Sequence, residues 1–164
     1  FLYGLREREL IIDLFEMTCG QRLTYNYIRI GGVSHDIPPE FVPRCREAMR
    51  IIGQKMADYE GLLNENPIWL ARTKDIGILR AEDAIAWGVS GPVLRASGVK
   101  HDLRKDDPYS IYDRFDFEIP VQKNGDTFDR YIQRLDEIRE SIKIVNQALD
   151  GLEGVEDDKI KDKV

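Results

Sequence analysis

Apolar side chains recur at helical spacing along two long stretches of the chain. In residues 41–63 they lie three or four residues apart, at Phe41, Cys45, Ala48, Ile52, Met56, Tyr59 and Leu63. In residues 127–150 the same spacing repeats, at Phe128, Tyr131, Leu135, Ile138, Ile142, Val145 and Leu149. This spacing predicts two long amphipathic helices. Asp126 is the predicted N-cap of the second helix, and Gly151 is its predicted end.

A third helix is predicted over residues 2–19, where apolar side chains occupy two neighbouring helical faces. One face carries Phe1, Leu5, Ile12, Phe15 and Cys19, and the other carries Leu10, Leu14 and Met17. The charged run Arg6–Glu9 is expected to remain solvated. Gly20 follows where a left-handed residue would end the helix.

Between these helices the pattern predicts shorter elements. The sequence Asp36-Ile37-Pro38-Pro39 is expected to begin the helix of residues 41–63, with Asp36 as its cap. Residues 68–105 break into short pieces, including one or two helical turns at 81–87. Apolar residues alternate with Asp116, Glu118 and Pro120 over residues 115–121, which predicts a half-buried edge strand.

These elements together predict a mainly α fold: a long-helix bundle with an irregular insertion and one short β strand or hairpin. Residues 1–151 are expected to form one helical domain. Residues 152–164 are charged and nearly free of core residues, so they are expected to be a linker toward further sequence.

The stretch TYNYIRIGGVSHD, residues 24–36, lies between the first two helices and breaks the helical pattern. The Gly31-Gly32 pair permits positive φ, which other residues resist. Two interpretations stay open. Shaped loops on rigid scaffolds often carry function, whereas a rigid connection between helices would need the same glycines.

Composition excludes several functions. The 164-residue chain has a formal net charge of −6, with 24 Lys and Arg against 30 Asp and Glu, which argues against a general nucleic-acid binder. No glycine-rich nucleotide-binding motif, metal-ligand spacing or G-x-S-x-G motif is present in the sequence. Cys19 and Cys45 lie far apart in sequence and are expected to be reduced, buried thiols, with a disulfide between them as the less favoured alternative. No apolar run is long enough to span a bilayer.

Arg95 and Arg104 lie in the irregular region and have two possible roles. Both guanidinium groups could bind acidic partners or anions. They could equally pair with the nearby Asp102, Asp106 or Asp107.

The stretch GQRLTYNYIRIGGV, residues 20–33, followed by Pro-Pro-Glu-Phe, resembles the D subunit of NADH-quinone oxidoreductase, the hydrogenase-like large subunit of respiratory complex I. Further blocks resemble the same family in the same order. They are DIG at 75–77, AEDAIAWGVSGPVLRASGV at 81–99, DLRKDDPYSIYDRFDFEIPV at 102–121 and GDTFDRYIQRLDEIRESIKIVNQAL at 125–149.

The resemblance implies a fold like the nickel–iron hydrogenase large subunit and a role in a proton-translocating complex. This polypeptide would help form a quinone cavity next to a terminal iron–sulfur cluster held by a neighbouring subunit, with NADH and FMN bound elsewhere in the complex. Its partners would be the other peripheral-arm subunits, above all the terminal-cluster subunit, and the membrane arm. The implied location is peripheral, on the cytoplasmic face of a bacterial or archaeal plasma membrane.

The resemblance also assigns expected roles to residues. The family's principal quinone-binding residues would lie upstream, so no catalytic residue and no metal ligand is expected in this chain. Phe1 and Leu5 are candidates for lining the quinone cavity, and Thr24 and Arg29 for lying near the cluster. Gly31 and Gly32 are expected to shape the loop.

Thr24 departs from the family, in which many members have a histidine at this position. Threonine cannot take up a proton, whereas imidazole titrates near neutral pH. The expectation is a cluster of lower and less pH-dependent potential, suited to menaquinone.

Two alternatives remain at this stage. The chain could belong to a related membrane-bound hydrogenase or F420H2 dehydrogenase complex. It could also be a stand-alone helical scaffold without redox activity. The resemblance further implies an internal fragment that is inactive and self-associating when isolated.

Overall fold

A computed structural model describes residues 2–153 of the chain. The seven α-helices within this range are α1 (Leu2–Cys19), α2 (Phe41–Leu63), α3 (Pro67–Thr73), α4 (Ala81–Ala86), α5 (Gly91–Ala96), α6 (Leu103–Asp106) and α7 (Thr127–Glu153). An antiparallel hairpin of β1 (Ile28–Arg29) and β2 (Gly32–Val33) follows α1, and a 3-10 turn spans Tyr112–Arg114. The prediction of a mainly helical chain is confirmed, and the small β hairpin lies at residues 28–33 and not at the predicted residues 115–121.

The described residues divide into two compact units, and the divisions fall inside α2 and α7. The first unit contains residues up to 54 together with 148–153, and the second contains residues 55–147. Buried apolar side chains of the first unit are Ile12, Leu14, Cys45, Ala48, Met49, Ile52 and Leu149. Those of the second unit are Met56, Ala84, Leu94, Ala96, Phe117, Leu135 and Ile144.

Helix α1 has the predicted bounds and the predicted end. It runs over Leu2–Cys19, and Gly20 adopts a left-handed φ of 72°. Its N-terminal charges differ from the prediction, because Glu7 is buried and pairs with Arg6. A buried carboxylate needs a partner of this kind to offset the cost of losing its hydration.

Both cysteines are free thiols, as predicted, but only one of them is buried. Cys45 lies in the core of the first unit, whereas Cys19, at the end of α1, is half-buried. Burial raises the pKa of the Cys45 thiol above its ordinary value, so this thiol stays protonated and packs as a small apolar group.

Helix α2 begins at Phe41, so the prediction that it begins at Asp36–Pro39 is wrong. Asp36 Oδ1 accepts the N–H of the next residue, Ile37, and among residues 2–153 it caps no helix. The residue before a proline is disfavoured in the α region, so two consecutive prolines keep residues 37 and 38 out of the helix. The end of α2 at Leu63 agrees with the predicted stop at residues 64–67.

Residues 115–121 form no strand, and the prediction of an edge strand is wrong. The segment lies along α7, whose side chains occupy the backbone groups that a neighbouring strand would use. Asp116 N–H donates to Gln147 Oε1 at 2.8 Å, and Glu118 N–H donates to Glu140 Oε2 at 2.9 Å. The alternation itself is real, because Phe117 is buried while Asp116 and Glu118 are exposed.

Helix α7 begins after its predicted cap. Asp126 Oδ1 accepts the N–H of Asp129 at 2.7 Å, as an N-cap does. The predicted end at Gly151 is wrong, since the helix includes Gly151 and continues to Glu153. One glycine costs a helix only about 1 kcal/mol, which an established helix tolerates. The remainder of the predicted linker, residues 154–164, lies outside the described residues.

The turn before α7 binds two distant segments of the second unit, the connection between α3 and α4 and the end of α5. Gly125 accepts the N–H of Leu79 at 2.9 Å and donates its own N–H to the carbonyl oxygen of Ala96 at 3.1 Å. Asp126 Oδ2 accepts the N–H of Asp75 at 2.8 Å. Gly125 has a φ of 66°, and a Cβ at this position would overlap the carbonyl oxygen of Leu79. Only glycine therefore fits this turn.

Candidate functional site

The loop of residues 24–36, between α1 and α2, is built from left-handed residues and one hairpin. In β1 and β2, Ile28 pairs with Val33 and Arg29 with Gly32. Gly31 has a φ of 94° and Gly32 a φ of 146°. The prediction that these two glycines supply positive φ is confirmed.

Thr24 also has a positive φ, of 56°. A β-branched residue in this region is strained, at a cost of about 1–2 kcal/mol. Such strain is often found at functional positions, although it does not itself identify a function. Nothing in the residue type of Thr24 signals this backbone conformation.

Aromatic contacts and hydrogen bonds hold the loop in place. The rings of Phe15 on α1 and Tyr25 lie 4.5 Å apart between centroids. Tyr27 Oη donates to the carbonyl oxygen of His35 at 2.8 Å, and Ser34 N–H donates to Tyr27 O at 2.9 Å. Burial raises the pKa of the Tyr27 phenol above its ordinary value, so the hydroxyl stays protonated and can donate.

Arg22 ties the start of the loop to α1. Its guanidinium pairs with Glu9, with Asp13 at 2.7 Å and with Glu16 at 3.0 Å. Hydrogen bonds to Asp13 and Glu16 raise the pKa of the Arg22 guanidinium above its ordinary value. All these side chains are exposed, so the cluster orients the loop more than it stabilises the fold.

The structure places Thr24 and Arg29 on the same exposed loop. Thr24 Oγ1 donates to the carbonyl oxygen of Leu23 at 2.6 Å. Arg29 is exposed on β1, and its side chain has no hydrogen-bond or ion-pair partner in residues 2–153. Its guanidinium is therefore available to a group outside this part of the chain.

The structure does not bring Leu5 to this loop. Leu5 is exposed on α1, fourteen residues before the end of the helix at Cys19. At 1.5 Å per residue this separates the two positions by about 21 Å along the helix axis. Phe1, the other residue proposed for a cavity wall, lies outside the described residues. The predicted site residues thus fall into two separate groups.

Arg95 and Arg104 pair with carboxylates of their own chain. Arg95 is buried, and its Nε donates to Glu137 Oε1 at 2.6 Å. Arg104 binds both oxygens of Asp102, at 2.9 and 2.6 Å. The interpretation of local pairing is confirmed for Asp102, whereas Glu137 on α7 was missed because it lies far away in sequence.

This cluster lines an open polar cavity of about 490 Å³ in the second unit. The lining includes Arg95, His101, Asp102, Arg104, Tyr109 and Glu137. Hydrogen bonds from Arg104 hold the pKa of Asp102 below its ordinary value. The positive and negative charges balance, so the cavity has no surplus charge with which to attract an ion.

A groove of about 350 Å³ in the first unit is lined mainly by apolar residues. These are Leu10, Leu14 and Met17 of α1 and Pro43, Ala48 and Ile51 of α2. Asp13, Arg44 and Glu47 complete its lining.

Residues 2–153 contain no cluster of three or more His, Cys, Asp or Glu side chains that could hold a metal ion. Within the same range, no helix has the length and apolar character needed to cross a membrane.

Comparison with known proteins gives consistent results. Residues 1–163 match the family model described as respiratory-chain NADH dehydrogenase, 49 Kd subunit. The chain is 54% identical over 152 residues to the NADH-quinone oxidoreductase D subunit of Geotalea uraniireducens (strain Rf4), covering 93% of this chain and 39% of that protein. It is 50% identical over 150 residues to the D subunit of Clostridium beijerinckii, covering 92% and 40% respectively.

A plant relative is also similar. The chain is 49% identical over 154 residues to the H subunit of the chloroplastic NAD(P)H-quinone oxidoreductase of Chloranthus spicatus, covering 94% of this chain and 39% of that protein. The chain spans about two fifths of the length of these curated relatives.

Proposed function

The chain belongs to the family of the 49 kDa subunit of respiratory-chain NADH dehydrogenase, whose members include the D subunits of NADH-quinone oxidoreductases, and we propose that it forms part of the quinone-reducing module of such a complex. The complex would transfer electrons from NADH, through FMN and iron–sulfur clusters in other subunits, to a quinone. It would be proton-translocating and would lie peripherally on the cytoplasmic face of the membrane.

The observation that carries this proposal is the family match over residues 1–163. The loop of residues 24–36 gives it a structural basis. Its backbone is shaped by Gly31, Gly32 and the Tyr27–His35 hydrogen bond, while the Arg29 side chain has no partner among residues 2–153. A fixed loop with an available cation suits a role in shaping and tuning redox chemistry whose cofactors belong to neighbouring subunits.

We place Thr24 and Arg29 near the terminal iron–sulfur cluster of the neighbouring subunit. The chemistry of these residues suits a position beside a cluster held elsewhere, because a guanidinium is attracted to the negative charge of a thiolate-ligated cluster. The Thr24 hydroxyl, which donates to Leu23 O in this structure, has no titratable proton near neutral pH.

A redox titration of the intact complex over several pH values tests the role of Thr24. We expect a cluster midpoint potential with a shallow pH dependence, and a Thr24→His variant with a steeper one. A steep dependence in the unaltered complex would overturn the role of Thr24. We propose menaquinone as the substrate, which suits a low cluster potential.

Phe1 and Leu5 remain candidates for the wall of the quinone cavity. Leu5 is 42% exposed, which leaves its side chain available for contact with a quinone tail or with another segment. Photolabelling of the complex with a quinone azide tests this assignment. Label on the segment that begins α1 supports it, and label confined to other subunits contradicts it.

Isolation of the complex from its source tests the proposed function as a whole. A tagged chromosomal copy of the gene should co-isolate with iron–sulfur polypeptides and with NADH:menaquinone reductase activity. We expect the chain alone to be inactive. A lone, monodisperse polypeptide would indicate a scaffold and contradict the proposal. Activity with hydrogen or F420H2 but not with NADH would show that the complex uses a different electron donor.

A further inference from the structure

Asn124 and Gly125 form an Asn-Gly sequence just before α7, the one such pair in the chain. In a flexible chain this dipeptide is chemically reactive, because the backbone nitrogen of the glycine can attack the side-chain carbonyl carbon of the asparagine. Glycine has no side chain to obstruct this attack, whereas any other residue after asparagine hinders it. The turn before α7 therefore contains a pair of residues that can modify itself.

The reaction converts asparagine to aspartate or isoaspartate in two steps. First, Gly125 N bonds to Asn124 Cγ, the bond from Cγ to the amide nitrogen breaks, and ammonia leaves with the proton that Gly125 N has lost. A five-membered succinimide ring remains. Water then opens the ring at one of its two carbonyl carbons. Opening at Cγ gives aspartate, and opening at the backbone carbonyl gives isoaspartate, in which the main chain runs through Cβ and Cγ.

The folded turn occupies the groups that this reaction needs. Gly125 is buried, and its N–H donates to the carbonyl oxygen of Ala96 at 3.1 Å, so the attacking nitrogen keeps its proton and its direction. The Asn124 side-chain amide donates to Asp129 Oδ1 at 3.3 Å, and the Asn124 backbone N–H donates to Asp129 Oδ2 at 2.6 Å. Asn124 itself is exposed, so these hydrogen bonds, and not its burial, oppose the attack.

The isoaspartate product does not fit the folded turn. It adds one carbon to the main chain before Gly125, which moves this residue away from its two hydrogen-bond partners, the carbonyl oxygen of Ala96 and the N–H of Leu79. The surroundings of Gly125 leave no room for such a shift, since even a Cβ there would overlap Leu79 O. Asp126 follows directly and caps α7, so the start of that helix would be displaced as well.

We propose that Asn124-Gly125 is a deamidation site that is protected in the folded protein and reacts when the hydrogen bonds of Gly125 break. In its isoaspartate form the turn cannot form again. Because ammonia is lost to the solvent, the asparagine is not restored when the chain refolds, and the modification marks chains that have been unfolded. The inference is independent of the proposed function, since it requires only the fold of the second unit.

Ageing of the tagged full-length protein, as isolated from its source, tests the site. The protein is incubated at mildly alkaline pH, either native or in urea, and peptides that contain residue 124 are quantified by mass spectrometry as asparagine, aspartate and isoaspartate. We expect conversion at Asn124 to be at least about tenfold slower in the native protein, which corresponds to an opening free energy of at least about 1.4 kcal/mol. Equal rates in the two samples, or no conversion in urea, would overturn the proposal.

Asn26 and an Asn124→Gln variant are the matched controls. Asn26 is exposed, as Asn124 is, but Tyr27 follows it, so Asn26 should convert much more slowly than Asn124 in urea. The variant keeps the amide group, but its longer side chain would have to close a less favourable six-membered ring, so this position should stay unmodified in urea. Conversion of either control at the rate of Asn124 would overturn the role of the Asn-Gly sequence.

Pulse proteolysis tests the effect of isoaspartate on the turn. Protein that has been aged at the lower edge of its melting transition is treated briefly with a protease, which cleaves unfolded chains faster than folded ones. We expect isoaspartate at position 124 to be depleted at least about tenfold in the resistant chains relative to all chains. Equal isoaspartate in both would show that the modified turn still forms, and would overturn that part of the proposal.

Discussion

The side-chain amide of Gln147 binds both backbone groups of Asp116. Asp116 N–H donates to Gln147 Oε1 at 2.8 Å, and Gln147 Nε2 donates to the carbonyl oxygen of Asp116 at 2.7 Å. These are the two hydrogen bonds that a residue in a neighbouring β-strand would make. A helix thereby holds an extended segment by means of one side chain.

Replacing Gln147 should release this segment. Gln147→Ala removes both bonds, so we expect the free energy of unfolding to fall by about 1–2 kcal/mol. Hydrogen exchange at the Asp116 amide should accelerate, as measured by NMR or mass spectrometry. Gln147→Glu keeps the acceptor and loses the donor, so it should protect that amide more than Gln147→Ala does. Equal exchange in both variants and the unaltered protein would contradict this account.

Removing Arg95 should leave Glu137 without its guanidinium partner. The pair is largely buried, with a distance of 2.6 Å between Arg95 Nε and Glu137 Oε1. Arg95→Met should therefore destabilise the protein by about 3–5 kcal/mol, and the double variant Arg95→Met with Glu137→Met should recover a large part of that loss. Urea denaturation measures both. The exposed Arg134→Gln serves as a control and should change stability by less than about 0.5 kcal/mol.

Acid should destabilise the protein in part through Asp102. Hydrogen bonds from Arg104 lower the pKa of Asp102 from its ordinary value of 3.8. Because the pKa of Asp102 is lower in the folded state, its stabilising effect is complete at pH values above the pKa of the unfolded state. The effect is lost as the pH falls through the pKa of the folded state. The melting temperature should thus decrease below about pH 4. Asp102→Asn should lower the melting temperature at pH 7 and flatten its decrease in acid.

Gly125 should tolerate no other residue. In Gly125→Ala the new Cβ would overlap Leu79 O at a φ of 66°, so both the clash and the backbone oppose it. We expect a loss of more than about 3 kcal/mol, or no folding. Gly31→Ala is the matched control, since its φ is 94° but no atom lies within 4 Å of the new Cβ. Gly31→Ala should lower the free energy of unfolding by about 1 kcal/mol, as measured by thermal denaturation.

The elements that the sequence predicted well are those whose cause is local. Helical spacing and Gly20 predicted the ends of α1. Asp126 predicted the start of α7, because an N-cap side chain accepts the N–H of a residue only three positions further along the chain. Alternation in residues 115–121 correctly indicated an extended, half-buried segment. It could not reveal that the hydrogen-bond partners would be Gln147 and Glu140, which are far away along the chain.

The same distinction applies to the candidate sites. Gly31 and Gly32 predicted a shaped loop, because glycine is the residue that positive φ favours. The pairing of Arg95 with Glu137 depends on a tertiary contact, which no residue type announces. The residue type of Thr24 likewise does not signal its left-handed backbone. The distance between Leu5 and the loop depends on the length of α1, which the structure provides.

The turn at Gly125 and Asp126 has a consequence for how the protein is made. Its backbone and the Asp126 carboxylate bind Asp75, Leu79 and Ala96, all of which leave the ribosome earlier. During synthesis these residues must wait, without their native partners, until the turn emerges. Leu94, which is buried in the folded protein, is then available to chaperones.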